Sequence, residues 1–121
     1  MFYILVSGKR DFTDYDKFYR FLDDSIRDIQ DDIEIVEGGA KGTDALAKRY
    51  AAEHGLGCRE FPAQWNVHGR AAGPIRNSEM IEYLNGKNCK AVFVWDGKSR
   101  GTGDCLRKAR KAGIPSKVLF V

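Results

Sequence analysis

The chain is poor in the residues that build metal centres and covalent cross-links. Its three cysteines, Cys58, Cys89 and Cys105, are odd in number, far apart and without a Cys-x-x-Cys pair. That argues against a disulfide framework or a zinc site. The two histidines, His54 and His68, have no companions at ligand spacing, so no metal is expected. Cys105, near an expected helix start, reads as a small core residue. Long apolar runs are missing as well. None approaches the roughly 18 residues that span a bilayer, and no basic-then-apolar leader follows Met1. A cytoplasmic protein without a membrane partner is expected. Nor is there a large excess of one charge. A formal net charge of +3 over 121 residues does not by itself imply nucleic acid. Its distribution is more informative: residues 11–37 hold ten acids against Lys17, Arg20 and Arg27, and residues 96–121 hold seven bases against Asp96 and Asp104. Solvated helix faces of opposite sign are the plain reading, and a basic groove for a polyanion is the sharper one.

What the chain does have is glycine in clusters. Glu37-Gly38-Gly39-Ala40-Lys41-Gly42-Thr43-Asp44 follows a short apolar run, Ile33 to Val36, and leads into a helical pattern from Thr43 or Asp44 to His54. Strand, glycine loop and helix N-terminus form a recipe for holding an anion, because unpaired N–H groups and the positive end of the helix dipole point the same way. A sharp turn with no ligand is the alternative reading of that loop alone.

Taken in order, Phe2 to Val6 is continuously apolar, as expected of a strand covered on both faces. It ends in Ser7-Gly8-Lys9-Arg10, where the cations stand ready for an anion. From Asp14 or Tyr15 to about Asp31 an apolar stripe of Phe18, Phe21, Leu22, Ile26 and Ile29 predicts a helix. Gly57 to Phe61 is a weak, polar third strand suited to an edge. Residues 62–74 form the longest irregular stretch, and loops of that length are usually functional or disordered. Trp65 argues against disorder. Pro74 suits a first helical turn, which would put Arg76 and Asn77 there too, with Arg76 opposed by the helix dipole. Ala91 to Trp95 is the clearest buried strand; Asp96 to Asp104 is a second glycine loop opening a helix closed by Gly113, and Pro115 to Val121 is the last strand.

Five strands alternating with four helices predict a single α/β domain over residues 1–121: three layers, Rossmann-like, around a mostly parallel five-stranded sheet. The flavodoxin-like order 2-1-3-4-5 and the order 3-2-1-4-5 both obey the handedness rule. The second is favoured, because it makes the two most apolar strands neighbours and leaves the polar third strand at an edge. Three loops would then converge on the carboxyl edge: Ser7, Gly8 and Arg10; Gly38, Gly39, Gly42 and Thr43; Ser99, Arg100, Gly101 and Thr102. Arg70, Arg76 and Asn77 join them. Together they predict a site for an anionic ligand.

Gly39-Ala40-Lys41-Gly42-Thr43-Asp44-Ala45-Leu46-Ala47 is similar to the G-A-x-G-x-D-x-x-A segment of the DNA-processing protein DprA. Together with Ala71 to Met80 and Ser99-Arg100-Gly101-Thr102, it more closely resembles the YspA-like family within the SLOG superfamily, which also holds the LOG phosphoribohydrolases. The resemblance covers nearly the whole chain. It implies a Rossmann-like domain binding nucleotides or nucleotide-derived ligands, as sensor in some members and as enzyme in others. The LOG loop P-G-G-x-G-T-x-x-E is altered here: Glu37 replaces the proline, one extra residue separates Gly39 from Gly42, and Leu46 stands in place of the glutamate. Leucine neither moves a proton nor stabilises an oxocarbenium ion, which argues against transfer of the hydrolase activity.

The expectation is therefore a nucleotide-type phosphate ligand held by backbone N–H groups and by Arg10, Arg76 and Arg100, with Phe12 or Trp65 covering a base or sugar and no cofactor required. N-glycosidic hydrolysis with Asp44 and Arg76 as catalytic candidates is a second reading, although Asp44 equally suits a helix-start carboxylate. DprA-like binding of single-stranded nucleic acid is a third. A homo-oligomer is expected from the small size and the exposed edge strands.

Overall fold

The computed structural model describes residues 1–121. Five parallel strands, β1 (Phe2–Gly8), β2 (Ile33–Glu37), β3 (Gly57–Glu60), β4 (Cys89–Trp95) and β5 (Ser116–Phe120), form one sheet in the order β3-β2-β1-β4-β5. This is the order favoured from the sequence. Helices flank both faces, giving an α/β Rossmann-like domain. No helix is long and apolar enough to cross a membrane.

The strands that read as continuously apolar have both faces covered. Residues alternate across a strand, so Ile4, Val6, Val92 and Val94 face one layer of helices while Leu5, Ala91 and Phe93 face the other. The first layer is α1 (Tyr15–Ile26) and α2 (Thr43–Glu53), which contribute Phe18, Leu22, Ala47, Tyr50 and Ala51. Asp14 starts α1 as an N-cap, its side chain accepting the N–H of Lys17 at 3.1 Å. The second layer is α4 (Ala72–Leu84) and α5 (Arg100–Lys111), with Met80, Leu84, Cys105, Leu106 and Ala109 inward. Burying each large apolar side chain stabilises the fold by about 1.5–3 kcal/mol. Cys105 is fully buried among them, and burial pushes its thiol up to about 12.

Four expectations need correction. The first helix ends at Ile26 rather than near Asp31, although Ile29 still packs on the core from the following turn. Residues 62–74 are not one irregular loop. Trp65–His68 forms a helical turn, α3, Gly69–Ala71 continues as 3-10 helix, and α4 begins at Ala72. Pro74 is third in α4, and Arg76 lies in its second turn, beyond the strongest part of the dipole. Likewise α5 begins at Arg100, so Gly101 and Thr102 belong to its first turn rather than to a loop ahead of it.

Candidate anion-binding cleft

After β1 the chain crosses to α1 on one face, and after β4 to α5 on the other. The divergence opens a crevice beyond the carboxyl ends of these neighbouring strands, where such sheets hold their ligands. It is a cleft of about 910 Å³. Of the residues expected at a site, Ser7, Gly8, Arg10, Trp65, Arg70, Arg76, Asn77, Ser99, Arg100, Gly101 and Thr102 line it, and Asp44 reaches it. Gly38, Gly39, Gly42, Thr43 and Phe12 do not.

The first glycine loop is closed on itself. The N–H groups of Gly38 and Ala40 donate to Asp44 Oδ2 at 3.1 and 3.2 Å, and that of Gly39 donates to Glu37 Oε1 at 2.6 Å. Thr43 donates both its N–H and its hydroxyl to the carbonyl of Lys9. Three of the amides expected to meet a phosphate, those of Gly38, Gly39 and Thr43, are thus taken by two carboxylates and a carbonyl of the same chain, as is that of Ala40. The glycines serve close packing instead. An added Cβ at Gly8 would lie 2.5 Å from Thr43 Oγ1, and one at Gly42 (φ +70°) would collide with the carbonyl of Arg10. Phe12 packs against the α1–α2 core rather than over the cleft.

The second loop is open. Asp96 Oδ1 accepts the N–H groups of Lys98 and Ser99 at 2.8 Å each, and the next backbone bond runs from Gly103 N–H to Ser99 O. Between them, the N–H groups of Arg100, Gly101 and Thr102 have no partner in the chain, and all three residues line the cleft. Opposite stands Arg76, only 9% exposed. Its Nε donates to Asn77 Oδ1 at 3.0 Å and its Nη1 to the carbonyl of Gly38. Nη2 has no hydrogen bond, and since every buried side-chain polar atom is partnered, it reaches the cleft. Asn77, 2% exposed, donates to Gly101 O and to Asp104 Oδ2, both at 3.1 Å. Two consecutive residues of α4 thereby tie the first glycine loop to the first turn of α5.

Six bases (Lys9, Arg10, Arg70, Arg76, Arg100, Arg107) and four acids (Asp11, Asp44, Asp96, Asp104) line the cleft. Burial raises the Asp44 carboxyl above the ordinary range, while the N–H groups of Ala40 and Gly38 and the charges of Arg76 and Arg10 pull the other way. Asp96 is held below its ordinary range by the amides of Ser99 and Lys98. At the mouth, the guanidinium of Arg10 lies 5.2 Å from the ring centroid of Trp65, which is 47% exposed. An aromatic that open, with a cation on one side, has the form of a stacking platform.

Glu37 was not identified as a site residue from the sequence. It is 1% exposed, accepts the Gly39 N–H, and burial pushes it up to about 7. Asp104 also escaped notice. It accepts from Asn77 and from Lys108 Nζ, an i,i+4 partner whose spacing was readable.

The chain belongs to the YspA, cpYpsA-related SLOG family, whose model matches residues 2–68. That span covers β1 through α3 and so includes the closed glycine loop, Arg10 and Trp65, but not Arg76 or the start of α5. Among individual proteins, the Gene 61 protein of Mycobacterium phage D29 is 34% identical over 117 residues, covering 93% of this chain and 91% of that protein.

Proposed function

We infer that the protein binds a nucleotide or nucleotide-derived phosphate ligand in the cleft between β1 and β4, as a sensor or carrier. The observation that carries this reading is that the three unpartnered amides of Arg100, Gly101 and Thr102 line one cleft with Arg76, whose Nη2 has no hydrogen bond in the chain. Amides at a helix N-terminus and a preorganised guanidinium both favour a phosphate oxygen over water. Arg10 and Arg100 extend the basic lining, and Trp65 offers a face to a base. Membership of a SLOG family is consistent with a nucleotide-related ligand. Thermal denaturation in the presence of mononucleotides, dinucleotides and cyclic nucleotides tests the proposal. A ligand at 100 times its Kd adds about 2.7 kcal/mol to stability; a broad panel that shifts nothing overturns it.

Hydrolysis of an N-glycosidic bond is a second reading, favoured by one observation. Asp44 reaches the cleft, and burial raises its carboxyl above the ordinary range, which suits a group that exchanges a proton with water or a departing base. Release of base from nucleoside monophosphates, abolished by Asp44→Asn with the fold intact, supports it. Full activity in that variant removes Asp44 from the chemistry.

A further inference from the structure

The sheet has two edges, and they are defended differently. β3 presents Arg59 and Glu60, charges that discourage pairing with another chain. β5 presents Phe120, 66% exposed, and its one charged residue, Lys117, is turned to Asp24 of the same chain at 3.2 Å. Val121 N–H and Pro115 O bond inward to β4, so the alternating residues Ser116, Val118 and Phe120 aim their N–H and C=O groups outward.

Beside this edge lies α1. α2 packs on β1, β2 and β3, and α1 is the next helix along, above the β4–β5 side of the sheet. Along its outer surface Asp16, Arg20 and Asp24, with Arg27 at its C-cap, are all exposed and alternate in sign. At 3.6 residues per turn they fall within an arc of about 80°. Read backwards, the series −, +, −, + is its own complement.

We propose that two copies of this chain associate through β5 about a two-fold axis at Val118, joining their sheets into one of ten strands. An antiparallel β5 pair centred there sets Val118 against Val118 of the partner and Ser116 against the partner's Phe120. Both are positions whose backbone groups point outward, so the ladder closes without moving a residue. The same axis runs the two α1 helices antiparallel. Lys117, one residue below the axis, meets both Phe21 and Asp24, so the axis crosses α1 near its middle. Asp16 then faces Arg27 of the partner subunit, and Arg20 faces the partner's Asp24. Each contact occurs twice, as a two-fold interface requires. The charges fix the register and the choice of partner, while strand pairing and the burial of Phe120 supply the attraction.

Sedimentation velocity tests this. The wild-type chain should sediment as a dimer at tens of micromolar, and Phe120→Glu as a monomer. Arg20→Glu and Asp24→Arg place like charges across the axis and should each be monomeric alone. Mixed one to one, they should form a heterodimer, because every introduced charge then meets its opposite. Arg20 makes no ion pair within its own chain, so its variant tests the interface even if Asp24→Arg, which loses the contacts to Arg27 and Lys117, folds poorly. A monomeric wild type, or a dimer that survives both Arg20→Glu and Phe120→Glu, overturns the proposal.

Discussion

Gly38 and Arg76 share one space: the guanidinium crosses the position that a β-carbon on residue 38 would fill, and its Nη1 donates to the Gly38 carbonyl. A glycine thirty-eight residues upstream therefore decides where a cleft arginine can stand. Gly38→Ala should displace Arg76, costing about 1–3 kcal/mol of stability through overpacking and weakening any phosphate ligand. Thermal denaturation with and without nucleotide separates the two effects. If the variant is as stable as the wild type and retains the ligand-induced shift, Gly38 does not set the position of Arg76.

Asn77 is a positioning residue in the same frame. Its Oδ1 accepts from Arg76, and its amide nitrogen donates to Gly101 O and Asp104 Oδ2. Asn77→Ala leaves the Asp104 carboxylate and Arg76 each short of a partner, a loss of about 1–3 kcal/mol. Nucleotide affinity should fall as well, since both halves of the anion site lose their alignment. An affinity equal to that of the wild type would assign Asn77 to stability alone.

The sheet order was legible because the unbroken apolar runs Phe2 to Val6 and Ala91 to Val94 demand interior, adjacent strands, while Arg59 and Glu60 demand an edge. The cleft was legible as three loops on one rim. What the sequence did not reveal was which loop is open. Glycine permits both ligand approach and tight chain packing, and the choice at residues 38–43 was made by carboxylates. Asp44 reaches back over its own helix start, and Glu37, at the end of a buried strand, accepts the Gly39 amide two residues on and the Cys58 thiol of β3. The helical turns from Trp65 to Ala71 were missed for a different reason: four residues of α-helix followed by three of 3-10 helix carry too little periodicity to reveal a helix.

Glu37 makes stability depend on pH in a stated direction. Its carboxyl lies at about 7 in the folded chain against an ordinary 4.5, with burial as the main cause and the Gly39 N–H opposing it. The folded state thus holds a proton that the unfolded state has released between those values. The stability this residue contributes is fully present below about pH 4.5 and is lost as the pH rises to 7, on the order of 3 kcal/mol in all. Glu37→Gln keeps an acceptor for Gly39 and cannot ionise. Its unfolding free energy should therefore gain on the wild type across that window and exceed it at pH 8. Parallel denaturant curves for the two proteins would eliminate Glu37 as the titrating group.

Trp65 separates binding from folding. It is 47% exposed, its turn α3 buries no residue, the Arg10 guanidinium lies over its ring and Gly73 packs near the ring edge. Removing so open a ring costs the fold little, because surface substitutions mostly stay within about 0.5 kcal/mol. A base stacked on it would lose far more: aromatic stacking is worth about 1–3 kcal/mol per base. Trp65→Ala should therefore leave the melting temperature of the free protein almost unchanged while weakening a nucleotide by about five- to 150-fold. Trp65→Phe should recover part of the affinity, and inorganic phosphate, which has no ring to stack, should bind both variants as it binds the wild type. Equal nucleotide affinity in all three proteins would move the base away from Trp65 and leave only the anion end of the cleft engaged.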